Sequence, residues 1–316
     1  MTTTTTTPRR PALTDLLAVH DLSSGQLDDL LDLAARMKAE PMRWRQAHDG
    51  QVLACYFAKP STRTRVSTEA AAYRLGMLPI MLRPDELQLG RGEPIADTAR
   101  VLSSDAAAIV IRTFAQSDVQ DLADHAAVPV INALTDQHHP CQALADLLTL
   151  REHFGSLAQL KLAYVGDGNN IAHSLMEAAA LAGMHITVAT PPGYGPDLGI
   201  AVGAHDRAHR HGGSVTTSHD PRQVVAGAHA VYTDVWVSMG QDDQREARLR
   251  AFTDFQVNRE LMSLADSRAI FMHCLPAHRG QEVTADVIDG PRSAVFAQAG
   301  NRLPTEQALI HALLRT

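Results

Sequence analysis

Apolar positions recur along the chain in two alternating rhythms. Short, nearly unbroken apolar runs fall at residues 51–57, 78–82, 107–111, 128–132, 161–165, 185–189, 214–217, 230–233 and 269–273. Runs of that length predict parallel strands, several of them buried on both faces. Between them the spacing changes to threes and fours. Leu27, Leu30, Leu31, Ala34 and Met37 make one such stripe behind Ser23 and Ser24, whose hydroxyls suit a helix start. Another runs from Cys141 through Leu144, Leu147 and Leu148 to Phe154 and stops at Gly155. Helices are also predicted over 66–75 and 305–314. This strand–helix–strand repetition predicts an α/β fold of two doubly wound parallel-sheet domains of similar size, joined by interdomain helices. The helix near 142–153 has no strand partner behind it, which sets the domain change. The expected division is 11–146 plus a C-terminal helix 304–316, then 147–303. Residues 1–10, a threonine run closed by Pro8-Arg9-Arg10, read as a disordered tail.

Composition narrows the classes. A chain of 316 residues, 45% of them hydrophobic, can fill two such cores. No apolar run approaches the roughly 20 residues needed to cross a bilayer, so no membrane association is expected. The N-terminal threonines lack the apolar stretch of a secretory signal. Three cysteines, Cys55, Cys141 and Cys274, form an odd set without framework spacing, which suits a reducing, cytoplasmic setting. A net charge of −7 without a basic block makes nucleic acid a poor partner. An anionic ligand would need a local nest of positive groups, so arginine placement becomes informative.

Ligands of open α/β sheets bind beyond the carboxyl ends of the strands. Lys59-Pro60-Ser61-Thr62-Arg63-Thr64-Arg65 stands there, between a strand and a helix. Hydroxyls, free backbone N–H groups and guanidinium forks at a helix start make a phosphate cradle without glycines, beside the plainer reading of a cap with solvated arginines. Arg112 follows the strand 107–111, as a ligand or as a surface charge. His138-His139-Pro140-Cys141-Gln142 follows another strand, and Pro140 suits a first helical turn. His139 is then a donor to a carbonyl oxygen, a structural loop histidine, or part of a zinc set with His138, Cys141, His273 and Cys274, residues spaced poorly for one tetrahedral ion. Gly166-Asp167-Gly168-Asn169-Asn170 invites a dinucleotide reading, but Ile171 holds the third glycine position and no acid ends the next strand. Asp234, ahead of Trp236, Ser238 and Met239, is an ammonium partner or a helix cap. Cys274, in His273-Cys274-Leu275-Pro276, is a core filler or a working thiol. Asn301-Arg302, placed just before the last helix, adds a positive charge.

Taken in order along almost the whole chain, these segments resemble the ornithine carbamoyltransferases. The aspartate carbamoyltransferases resemble the chain at Ser61-Thr62-Arg63-Thr64-Arg65 but lack the Asp-x-Trp-x-Ser-Met-Gly and His-Cys-Leu-Pro segments. The resemblance implies a first, carbamoyl phosphate-binding domain and a second domain for the amino acid, L-ornithine. Ser61, Thr62, Arg63 and Thr64 would hold the phosphate, and Arg112 would bridge phosphate and carbonyl. His139 would polarise the carbonyl oxygen. Gln142, the backbone around Cys274 and Leu275, and Arg302 would orient the carbamoyl amide. Asn170, Asp234, Ser238 and Met239 would hold the amino acid, with Cys274 near its reacting amine. Gln88 would reach a neighbouring subunit of a homotrimer. Arg112, His139, Asp234, Cys274 and Arg302 are the expected catalytic set, and neither metal nor cofactor is expected. The chain departs from the family at Pro94, Ala297 and Gly300, where serine and two acids are usual. That leaves room for another small diamino acid as acceptor, or for a silent ligand-binding relative.

Overall fold

The structure, a computed structural model, describes residues 13–315 except 86, 88–91 and 239. The expectations for the tail 1–10, Gln88 and Met239 therefore lie outside the described residues. Two parallel sheets account for the apolar runs. The first takes β1 (Val52–Phe57), β2 (Leu78–Leu82), β3 (Ala108–Arg112) and β4 (Val130–Leu134) in the order β2-β1-β3-β4. The second takes β5 (Lys161–Val165), β6 (His185–Ala189), β7 (Ser214–Ser218), β8 (Ala230–Thr233) and β9 (Ile270–His273) in the order β7-β6-β5-β8-β9. The order reverses between β1 and β3 and again between β5 and β8, and such reversals open the crevices where α/β sheets bind ligands.

The helices are α1 (Ser24–Ala39), α2 (Arg63–Leu75), α3 (Ile95–Asp105), α4 (Gln116–His125), α5 (Pro140–Phe154), α6 (Asn170–Leu181), α7 (Leu198–Arg210), α8 (Pro221–Val225), α9 (Arg245–Ala251), α10 (Arg259–Met262), α11 (Ala285–Ile288) and α12 (Val295–Leu314). Ser23 caps α1 by accepting from the Gln26 N–H, and the predicted stripe Leu27, Leu30, Leu31, Ala34 and Met37 is buried. Among the described residues no helix is long and apolar enough to cross a membrane.

Two helices join the sheets. Helix α5 is buried on every side from Pro140 to Leu150 and touches both β4 and α6. Helix α12 packs on α1, α2 and α5 and also reaches β9. An amphipathic stripe would serve only one partner; α5 from Pro140 to Leu150 and α12 beyond Gly300 are apolar or paired nearly all round because protein covers them there.

Three boundaries differ from the sequence reading in ways that matter. Helix α2 starts at Arg63 rather than 66, so the N–H groups of Arg63, Thr64 and Arg65 are first-turn donors without intrahelical acceptors. Arg112 does not follow β3 but ends it, opposite Phe57 and Leu134, at a register shift after Ile111 that re-aims its side chain. Helix α12 begins at Val295, not near 305, so Asn301 and Arg302 lie inside it rather than before it. Pro304 lies inside the helix rather than at its start. Here the Thr305 hydroxyl donates to the Asn301 and Arg302 carbonyls at 2.8 and 3.0 Å, serving the backbone around the break.

Candidate active site between the two sheets

The carboxyl ends of β1, β3, β4, β5, β8 and β9 meet across the junction. Arg63, on the first turn of α2, donates to the Leu275 carbonyl behind β9. The His139 N–H donates to the Ser174 hydroxyl at 2.8 Å, and Asn170 donates to the Thr135 carbonyl at 2.6 Å. Residues far apart in sequence thus close one crevice.

Three arginines line it. Arg302, from α12, is 2% exposed and donates to Gln142 Oε1 at 2.8 Å and to Thr64 Oγ1 at 3.0 Å. Glu306, one turn on, accepts from Arg302 Nη2 at 2.7 Å. Arg112 is buried, has no ion pair among the described residues, and its Nε has no hydrogen-bond partner there. Burial first, and then Arg302 and Arg63, lower its pKa to about 10. That guanidinium is still charged at neutral pH, and its surroundings disfavour the charge until an anion arrives. His139 is buried beside all three arginines; burial, then Arg302, Arg112 and Arg63, hold it well below the usual imidazole range. It is a neutral imidazole, able to donate from one ring nitrogen and carrying no charge.

Behind β8 and β9 the second half assembles. Asp234 accepts from Cys274 Sγ at 3.0 Å, from Asn169 Nδ2 at 2.8 Å and from the Val235 N–H at 2.8 Å. Burial first, then the Asp234 charge, push the Cys274 thiol well above the ordinary range. A thiol so held is a hydrogen-bond donor rather than a nucleophile. Iodoacetamide at pH 8 should therefore leave Cys274 unmodified while a small-molecule thiol is consumed, and Cys274→Ser should keep measurable turnover. Rapid alkylation of Cys274, read by mass spectrometry, would contradict this placement. Leu275 sits at φ 58, a left-handed conformation that costs a branched residue about 1–3 kcal/mol. Its N–H donates to His273 Nδ1 at 2.8 Å and its carbonyl takes Arg63, so both backbone groups hold it there.

The structure brings together Ser61 to Thr64, Arg112, His139, Gln142, Asp234, Cys274, Leu275 and Arg302. Asn170 lies at the junction with its amide turned to Thr135, and Ser238 is half-buried with its N–H on Gln241. Arg65 turns away to Glu69 at 2.9 Å. The five-residue zinc set does not converge: Cys141 donates to the Asn132 carbonyl, and His138 faces Glu177 at 3.7 Å. Asp234, His273 and Cys274 do place ligating atoms within 4.8 Å of one another. Both His273 nitrogens are engaged, however, with the Leu275 N–H and with Glu282 at 3.3 Å. Gly168 owes its identity to packing, since a Cβ there would lie 2.2 Å from the Pro196 nitrogen.

Sequence reasoning missed Glu306, Thr68, Gln298, Tyr232 and Asp146. Glu306 was legible in principle, four residues after Arg302, but only to a reader who had both on one helix.

Two parallel sheets with a shared arginine-lined crevice define an α/β protein built to hold a compact anion beside a second, cation-tolerant subsite. Comparison with known proteins gives the class its family. Residues 14–152 match the carbamoyl-P binding domain of aspartate/ornithine carbamoyltransferase, and 158–313 match its Asp/Orn binding domain. The chain belongs to the aspartate/ornithine carbamoyltransferase family. It is 52% identical to the ornithine carbamoyltransferase of Symbiobacterium thermophilum, over 95% of this chain and 97% of that one. It is 53% identical to that of Methanothermobacter thermautotrophicus, over 95% and 98%. The solved ornithine carbamoyltransferase of Pyrococcus furiosus superposes with a TM-score of 0.93 at 47% identity, covering 96% of this chain and 98% of that one.

Proposed function

We propose that the chain transfers the carbamoyl group of carbamoyl phosphate to the δ-amine of L-ornithine, giving L-citrulline and phosphate. The observation that carries the reading is the buried Arg112, a charge without a carboxylate partner among the described residues, beside Arg63 and Arg302. The ornithine carbamoyltransferases named above, about half identical over nearly full length, select this acceptor among small diamino acids.

The neutral amine attacks the carbonyl carbon. A C–N bond forms, the bond from carbon to the phosphate oxygen breaks, and a proton leaves the nitrogen. Negative charge grows on the carbonyl oxygen and then on the departing phosphate. Arg63, Arg112, Ser61, Thr62, Thr64 and the first N–H groups of α2 take the phosphate. His139 and Arg112 face the carbonyl oxygen. Removing one such fixed donor costs about 2.7–4 kcal/mol. Asp234 holds the α-ammonium, with Asn170, Ser238 and Met239 around the amino acid, and the nearby guanidinium groups favour loss of the δ-proton. Arg302, Gln142 and the Leu275 backbone orient the carbamoyl amide. The domain division follows the same reading, with 11–146 and 304–316 serving carbamoyl phosphate and 147–303 the amino acid.

The reading extends to a cytoplasmic homotrimer in arginine metabolism, with Gln88 completing a neighbour's site. Exposed Val66 and Tyr73 on α2 and Leu78 and Ile80 on the edge strand β2 support an assembled form. The deciding experiment offers carbamoyl phosphate with ornithine, lysine, putrescine, diaminobutyrate, diaminopropionate and N-acetylornithine. Ornithine should give the highest kcat/KM. A higher value for another amine, or no transfer to any of them, would sink the assignment.

A further inference from the structure

Gln142 has a problem of orientation in its hydrogen bonding. The two ends of a carboxamide have almost the same shape, yet one donates and the other accepts. Where Gln142 faces an amide of the ligand, the wrong end would set donor against donor.

In this fold one end meets a group that can only donate, and the other meets an oxygen that already accepts a second N–H. Arg302 Nη1, a pure donor, approaches Gln142 Oε1 at 2.8 Å. Asp146, one turn further along α5, receives Gln142 Nε2 on its Oδ1 at 2.7 Å. Asp146 is 0% exposed, and a buried carboxyl group needs a reason, since an apolar residue would cost less. Its remaining partners come from α12 and from the second sheet. Gln298 Nε2 of α12 donates to the same Oδ1 at 2.7 Å, and Tyr232 of β8 donates its hydroxyl to Oδ2 at 3.1 Å. Gln298 Oε1 in turn accepts from the His273 N–H at 3.0 Å, directly ahead of Cys274 and Leu275. Burial pushes the carboxyl up to about 7, with Gln142, Gln298 and Tyr232 holding it down.

We infer that Asp146 is a positioning residue: by accepting from Gln142 Nε2 it fixes the carboxamide with its oxygen toward the ligand, and so sets preference for a carbamoyl group over a bare phosphate. The inference rests on the reading of Gln142 as a partner of the carbamoyl amide. A flipped Gln142 would set Nε2 against the Arg302 guanidinium and Oε1 against Asp146 Oδ1, which already accepts from Gln298, two unfavourable contacts at once. Tyr232 and Gln298 keep Asp146 from turning away, and they couple the same carboxyl group to the strand end that carries Cys274.

The test compares carbamoyl phosphate with inorganic phosphate, which fills the cradle but has no amide. In Asp146→Ala the KM for carbamoyl phosphate should rise about tenfold, as for loss of one oriented hydrogen bond, while the inhibition constant of phosphate stays unchanged. Asp146→Asn keeps an acceptor oxygen and should stay within about threefold of the parent ratio. In a Gln142→Ala background, Asp146→Ala should change the ratio no further. A merely structural role predicts that both constants rise together, and that result would overturn the inference, as would an equal effect in the Gln142→Ala background. Gln142→Ala alone tests the reading beneath: an unchanged ratio there removes Gln142 from the ligand and leaves the panel assay to judge the reaction separately. Should Asp146→Ala not fold, neutron diffraction of the parent protein decides. Deuterons on the Gln142 atom beside Asp146 are expected, and deuterons on the atom beside Arg302 would refute the orientation.

Discussion

Arg112→Ala should lower kcat/KM by roughly a hundred- to a thousandfold or more, while the unliganded protein melts no lower than its parent. The two halves of this result come from one fact. Arg112 is buried with two other guanidinium groups nearby and no ion-pair partner among the described residues. A buried charge held that way destabilises the unliganded fold, so its removal costs the apo protein little and can raise its melting temperature. Its stabilising partner is the ligand. Loss of a donor aimed at the developing charge removes about 2.7–4 kcal/mol from the transition state. The rise in melting temperature on adding phosphate should shrink in the variant, because ligand stabilisation follows the ratio of concentration to Kd. Arg112→Lys should recover little, since an ammonium keeps the charge but not the planar fork. Retention of more than about a tenth of parental kcat/KM, a loss under roughly 1.4 kcal/mol, would show that Arg112 does not face the reacting group.

How much of this was legible beforehand depends on the distance over which each feature is specified. The nine strands were readable because burial on both faces leaves unbroken apolar runs, and all but β4 lie within one residue of the predicted bounds. The positions of Arg63, Arg112, His139, Asp234 and Cys274 followed from the rule that ligands gather beyond strand ends. The network behind them was not readable. Asp146 looks in sequence like a polar break in an apolar helix, and Gln298 lies outside every predicted helix. Only the crossing of α5 with α12 makes them partners at 2.7 Å. The start of α12 was missed because the helix runs on through Pro304, where the Thr305 hydroxyl bonds the Asn301 carbonyl one turn back. That one error hid Glu306 from Arg302.

Glu306→Ala is therefore the stability counterpart of Arg112→Ala, with the opposite sign. Arg302 is 2% exposed and Glu306 4% exposed. Glu306 Oε1 accepts from Arg302 at 3.2 and 2.7 Å, and Oε2 accepts the Thr68 hydroxyl at 3.0 Å. Glu306 is the carboxylate in ion-pair contact with Arg302 among the described residues. Removing one partner of a buried pair leaves an uncompensated charge and costs about 3–5 kcal/mol. Here the stranded charge also lies near Arg63 and Arg112. Urea unfolding at pH 7 should register that loss, together with a raised KM for carbamoyl phosphate as Arg302 leaves Gln142. The control is the double variant Arg302→Met with Glu306→Leu. Removing both charges and refilling the space should return most of the lost stability and none of the activity, because buried ion pairs are replaceable by packing while the donor to the carbamoyl group is not. If Glu306→Ala stays within about 1 kcal/mol of the parent, solvent or another acid compensates Arg302. If the double variant is no more stable than the single one, the cost lies in lost packing around α12 rather than in a stranded charge.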